Sequence, residues 1–115
     1  MSKKRPQPKK ARTERRQAER ATVKLAEARL KLASLEAGGS PERPIDLTSA
    51  SVVEPHATGL GCAVCGGSTR VEDHSAVSVT DASGTARSLR VVRVRCTRCG
   101  VERDIYMRLT PRLSN

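Results

Sequence analysis

Apolar and polar positions change their period along this chain. Over residues 11–37, Ala18, Ala21, Leu25, Ala28, Leu32 and Leu35 recur at alternating steps of three and four, the spacing of one helix face. Ala, Arg, Glu, Lys and Leu dominate the segment, and all are good helix formers. Val23 and Leu30 fall off the seam and broaden the stripe. Gly38-Gly39 supplies a C-terminal stop, and Ser40-Pro41 reinforces it. The pattern predicts one helix over residues 11–38. That helix could lie on the domain that follows it, or pair with a second helix as a short coiled coil.

Residues 39–61 form a linker punctuated by Pro41, Pro44 and Pro55. Ile45-Asp46-Leu47-Thr48 and Ser51-Val52-Val53 have β character without clean alternation, so an extended segment leaning on the next domain is expected. Beyond it the period falls to two. Val71, Val77 and Val79 share one side with Asp73 and Ser75 in a first strand. Turn-forming residues fill Thr80-Asp81-Ala82-Ser83-Gly84-Thr85 and read as a hairpin connection. Val92, Val94 and Cys96 then alternate with Arg93 and Arg95, a half-buried strand with a cationic outer face. A last strand alternates Ile105, Met107 and Leu109 inward with Tyr106 and Arg108 outward.

The cysteines bracket these strands. Cys62-Ala63-Val64-Cys65-Gly66 and Cys96-Thr97-Arg98-Cys99-Gly100 are the same turn twice, thirty residues apart, and the chain has no other cysteine. Two intervening residues let both sulfurs of a pair face one ion, and the glycine lets the backbone reverse at positive φ. Cys62, Cys65, Cys96 and Cys99 are therefore the candidate ligands of a tetrahedral metal site. Two disulfides are the alternative, and they require an oxidising compartment. The N-terminal Met1-Ser2-Lys3-Lys4-Arg5 leads into Pro and more Lys rather than the apolar core of a signal peptide, so a reducing cytoplasm is expected. A redox C-x-x-C usually stands alone near a βαβ pattern, unlike these two pairs among strands. His56 and His74 read as surface residues, because four thiolates already close a tetrahedron.

Composition makes a metal useful. The chain of 115 residues has no Phe, no Trp and only Tyr106 among aromatics. A domain spanning residues 62–115 has too little large apolar surface to offset its ordering entropy without a staple.

These cysteine turns, the hairpin between them and the closing strand resemble a zinc ribbon. The resemblance covers residues 62–110 and implies a three-stranded antiparallel sheet with one structural Zn2+ on the four cysteines. With the helix and a disordered basic tail over residues 1–10, the expected class is small α+β. Ala63 and Thr97 stand where many ribbons have proline. The hairpin tip holds only Asp81, not the acidic pair of the transcription-elongation ribbons, so that catalytic role is not carried over. The gap between the pairs is also close to that of rubredoxin, which leaves iron as the minor alternative, although rubredoxins are acidic and aromatic-rich.

No enzyme is expected. Four thiolates saturate a metal, whereas a catalytic zinc keeps an open position. The chain contains no H-x-E zinc-deaminase motif, Gly-rich phosphate loop, G-x-S-x-G or H-E-x-x-H. Charge points instead to a polyanion. The formal net charge is +10 with a pI near 10.3. Residues 1–20 hold nine Lys or Arg against two Glu, and all nine cations of residues 62–115 are Arg. Arg93, Arg95, Arg98 and Arg108, with Lys3, Lys4, Arg5, Lys9 and Lys10 of the tail, are the candidate nucleic-acid contacts. Without aromatics to stack on bases, such binding would be to phosphates and weakly sequence-specific. The alternative is a protein-interaction adaptor that docks its partner on the 11–37 helix. No membrane partner is expected, and the pattern does not choose an oligomeric state.

Overall fold

The structure is a computed structural model that describes residues 8–80 and 82–110. Its elements are helix α1 (Pro8–Leu35), strand β1 (Ile45–Leu47), a 3-10 turn (Ala50–Val52), helix α2 (Val53–Gly59), and strands β2 (Thr69–Thr80), β3 (Ala86–Cys96) and β4 (Glu102–Leu109). The expected hairpin is present: β2 and β3 pair from Thr69↔Cys96 to Thr80↔Ala86. Its turn residue Asp81 lies outside the described residues, as do residues 1–7 of the expected tail and residues 111–115.

The sheet differs from a three-stranded antiparallel ribbon. It has four strands in the order β1-β4-β3-β2, and β1 runs parallel to β4 with Ile45 opposite Met107. Ile45 and Leu47 pack on the core, and Asp46 between them is exposed, a two-position alternation too short to stand out in the sequence. The linker is also more helical than expected. Ser49 caps the 3-10 turn through its side chain, which accepts from the Ser51 N–H. Pro55 then sits in the first turn of α2, where a missing N–H has no helical partner to lose. Val53 and Ala57, one helical turn apart, are fully buried. They close the core over Val92, Val94, Ile105 and Met107.

A bulge between Val71 and Asp73 changes which side of β2 its residues face. Val71 joins the core opposite Val94, whereas Asp73, Ser75 and Val77 follow the opposite face with Arg93, Val91 and Leu89. His74 is thereby turned toward α2. Its side chain is 17% exposed and its Nδ1 lies 3.1 Å from Glu54 Oε2, so the expected surface histidine is half-buried. His56 is exposed, as expected.

Helix α1 starts at Pro8, earlier than expected, because proline fits a first helical turn. Its 28 residues make a rod of about 42 Å. Only its C-terminal end meets the sheet. Ala33 is buried, Ala26 and Leu30 are half-buried, and Leu30 and Ala33 share a cleft with Arg103, Asp104 and Tyr106. Gly38 is the joint. It has φ +86°, and a Cβ there would lie 2.6 Å from Ile45 Cδ1. Its carbonyl accepts from the Tyr106 N–H at 2.8 Å, and Arg43 Nη1 donates to the Leu35 carbonyl at the helix end.

Candidate metal centre

Two equivalent backbone turns aim the four sulfurs at one point. The first lies between α2 and β2, and the second joins β3 to β4. In each, the N–H groups of the second and third residues after the leading cysteine point at its sulfur. Val64 and Cys65 approach Cys62 Sγ at 3.4 and 3.5 Å, and Arg98 and Cys99 approach Cys96 Sγ at 3.3 and 3.4 Å. Each turn closes when its glycine N–H donates back to the leading cysteine carbonyl. Gly66 and Gly100 have φ of +73° and +78°, as the motif requires, and a Cβ at either would meet open space. The turns are tied together by Thr97, whose N–H and hydroxyl both donate to the Ser68 carbonyl.

The four Sγ atoms all lie within 4.8 Å of one another. Cys62 faces Cys99 at 3.5 Å and Cys65 faces Cys96 at 3.5 Å, far longer than a disulfide of about 2.05 Å. A tetrahedron with metal–sulfur bonds of about 2.3 Å separates its sulfurs by roughly 3.8 Å, so the cluster has the size of a four-thiolate site. Cys62 and Cys96 are buried, Cys65 is half-buried and Cys99 is exposed.

The backbone prepares the leading sulfur of each turn to carry charge. The Cys99 and Arg98 N–H groups, helped by hydrogen bonds from neighbouring thiols, bring Cys96 down to about 6 against the opposing effect of burial. Burial raises Cys62, but the Cys65 and Val64 N–H groups outweigh it and its pKa is lowered. At Cys99 the Val101 N–H acts downward, yet burial and the hydrogen bonds to Cys62, Cys96 and Cys65 push it up to about 12. Thiols crowded this closely cannot all ionise alone; a cation at their centre reverses that preference.

Gly67 was not singled out in the sequence. A Cβ there would lie 3.2 Å from Cys65 Sγ and 3.3 Å from Cys96 Sγ, so any side chain at this position would press on two of the four sulfurs. Arg29 and Arg103 were also missed. Arg29 Nη1 donates to the Val64 carbonyl, which ties α1 to the first turn. Arg103 stands on the core face opposite Val94, and its buried Nε has no hydrogen-bond partner among the described residues. No residue pattern marked these two, because their roles depend on where α1 docks.

The candidate nucleic-acid residues divide. Strand register puts Arg93, Arg95 and Arg108 on one outer face, as expected. Each, however, faces a carboxylate: Arg93 Nε to Asp104 at 3.0 Å, Arg95 Nη1 to Glu102 at 3.6 Å and Arg108 Nε to Asp46 at 2.7 Å. Alternation reveals an arginine's side of a strand, not the acid that pairing places across from it. Arg98 is exposed in the second turn and makes no ion pair among the described residues. Lys10 is exposed on α1. Lys9 lies in the first turn of α1, and Lys3, Lys4 and Arg5 fall outside the described residues.

No helix among the described residues is long and apolar enough to cross a membrane. Comparison with protein-family models, curated proteins and solved structures finds no match to this chain.

Proposed function

We propose that this chain is a non-enzymatic, zinc-stabilised module that binds a nucleic acid or a nucleic-acid-containing assembly through the cations of α1 and the basic segment before it. The observation that carries the reading is the contrast between two sets of cations. Arg93, Arg95 and Arg108 of the sheet each face a carboxylate, whereas the Lys and Arg of α1 from Lys10 to Lys31 make no ion pair among the described residues. Arg16, Arg20, Lys24 and Lys31 fall on one side of that helix, at steps of four and seven, and all are exposed. A solvated cationic row attracts phosphates; a paired arginine must first give up its carboxylate.

Zinc fits the centre because a soft tetrahedral four-thiolate set selects zinc or iron over hard cations, and a structural staple needs no redox change. Four sulfurs also fill the coordination sphere, which supports a structural rather than a catalytic metal. A reducing compartment, which keeps the thiols available to the ion, belongs to the same proposal.

The test uses purified full-length protein. Elemental analysis is expected to give about one zinc per chain. Affinity for a duplex or RNA oligonucleotide is expected to fall with salt at a log–log slope of about −0.7 to −0.9 per phosphate neutralised. Replacing Arg16, Arg20 and Lys24 by Gln is expected to flatten that slope, while Arg93→Gln changes it little. No binding to DNA, RNA or ribosomes at near-physiological salt overturns the nucleic-acid reading. Iron, or a metal-free folded protein, overturns the zinc reading.

A further inference from the structure

Helix α1 has three distinct sides. One carries Ala26, Leu30 and Ala33 and meets the sheet end. A second carries the cationic row. The third is the seam of Ala18, Ala21, Leu25, Ala28, Leu32 and Leu35, which the fold leaves uncovered. All six are exposed, with Leu25, Leu32 and Leu35 at 51%, 60% and 59%. A helix that served only to display cations has no need of leucines on a heptad spacing turned toward water.

We propose that this seam docks an amphipathic helix of a partner protein that carries acidic residues beside its own apolar stripe, as a two-helix coiled coil. Charge selects that occupant. Placing the seam at the core positions puts Lys10, Lys24 and Lys31 on one flank and Arg15 and Arg29 on the other, the Arg29 guanidinium also donating to the Val64 carbonyl, with uncharged Gln17 and Thr22 between them and Glu36 the only acid. A second copy in parallel sets Lys24 against Arg29 of its mate and Lys10 against Arg15, with Lys31 against Glu36 the one opposite-charge pair; an antiparallel copy sets the lysine flank against the lysine flank. Self-pairing is repulsive on balance in parallel and repulsive in antiparallel, whereas a partner with Glu or Asp on its flanks meets these cations with complementary charge. Nucleic acid would satisfy the cations but leave the leucines exposed. Ala18, Ala21 and Ala28 leave room for large apolar side chains from the partner. The apolar seam is a different face of α1 from the cationic row, although Lys24 and Lys31 border both, so the seam variants rather than the lysine variants separate this inference from the nucleic-acid reading.

The test takes the full-length, zinc-loaded chain and a synthetic helical peptide with Leu at its core positions and Glu at its flanks. The controls are the same peptide with Lys at the flanks and a duplex oligonucleotide. Fluorescence anisotropy is expected to show saturable one-to-one binding of the Glu peptide, at least about tenfold tighter than the Lys peptide. Leu25→Asp with Leu32→Asp is expected to remove that binding and leave zinc content unchanged, with oligonucleotide binding weakened by the added charge but retained at low salt. As a second variant that keeps the seam, Lys24→Glu with Lys31→Glu is expected to weaken the Glu peptide and strengthen the Lys peptide. Equal affinity for the two peptides overturns the proposal, as does Glu-peptide binding that survives both aspartates. A dimer of the chain that dissociates on Leu25→Asp assigns the seam to a second copy instead. Loss of oligonucleotide binding alone assigns it to nucleic acid.

Discussion

At the scale of single residues, three consecutive positions around the first metal turn do different work. Cys65 supplies a sulfur, Gly66 supplies a positive φ and Gly67 supplies empty space between sulfurs. Alanine separates the last two. Gly66→Ala meets no neighbour, so its penalty is backbone strain, about 1–2 kcal/mol of stability with the metal site intact. Gly67→Ala presses its methyl group against two sulfurs and is expected to speed metal loss to a chelator more than it lowers stability of the loaded protein. A zinc-release time course with a colorimetric chelator distinguishes the two variants. Asp46 is a second test at this scale. The Arg108 guanidinium, through its hydrogen bond, holds the Asp46 carboxyl below its usual 3.8. The pair therefore contributes fully above the unfolded value and is lost as pH falls through the lower folded one. Asp46→Asn is expected to loosen β1 at neutral pH, seen as faster amide exchange over Ile45–Leu47. Wild type and variant are expected to converge in strong acid.

At the scale of elements, the sheet depends on a core with few large side chains. Val53 of α2 and Met107 of β4 are both fully buried in it. Met107→Ala is expected to destabilise the loaded protein by about 2–5 kcal/mol in denaturant titration, because it removes a fully buried side chain and leaves a cavity in the core. The hairpin and the closing strand were legible in the sequence, since the alternation of Val92 and Val94 with Arg93 and Arg95 survives unaltered in β3. The four cysteines were legible because a knuckle motif is local. Three other features were not. The bulge at Val71/Asp73 adds one residue to a strand whose composition is otherwise ordinary, so Val71 and His74 were assigned the wrong faces. Helix α2 has only two buried residues, and Pro55 read as a breaker when it stands in a first turn. Strand β1 exists only because β4 offers it an edge, a partnership between residues more than sixty positions apart. Each miss depends on a tertiary partner rather than on local preference.

At the scale of the whole molecule, the four-cysteine centre ties together elements at the end of the sheet that the core, made mostly of small side chains, also joins. The first turn carries the chain from α2 into β2, the second links β3 to β4, and Arg29 of α1 reaches the first through the Val64 carbonyl. A structural zinc contributes an apparent 10–16 kcal/mol in small domains, roughly as large as the entire stability of a typical fold. On the proposed zinc reading, removing the ion leaves four thiols in contact and a core of mostly Val and Ala, which is too small to hold the sheet. Chelation or Cys96→Ser is therefore expected to abolish the β signal in circular dichroism rather than merely lower the melting temperature. Helix α1 is expected to respond differently. Its 28 residues exceed the length at which isolated helices become marginal, and Ala, Arg, Glu, Lys and Leu favour it throughout. It loses the docking of Ala33 and the Arg29 tie, so its last turns fray while part of its helical signal persists. Limited proteolysis at the arginines of β3 is expected to rise steeply on chelation, and readdition of zinc is expected to restore protection. A sheet that survives metal removal with its protease resistance unchanged would show that the core of Val92, Val94, Ile105 and Met107 suffices alone and that the cysteine centre has a role other than holding the fold.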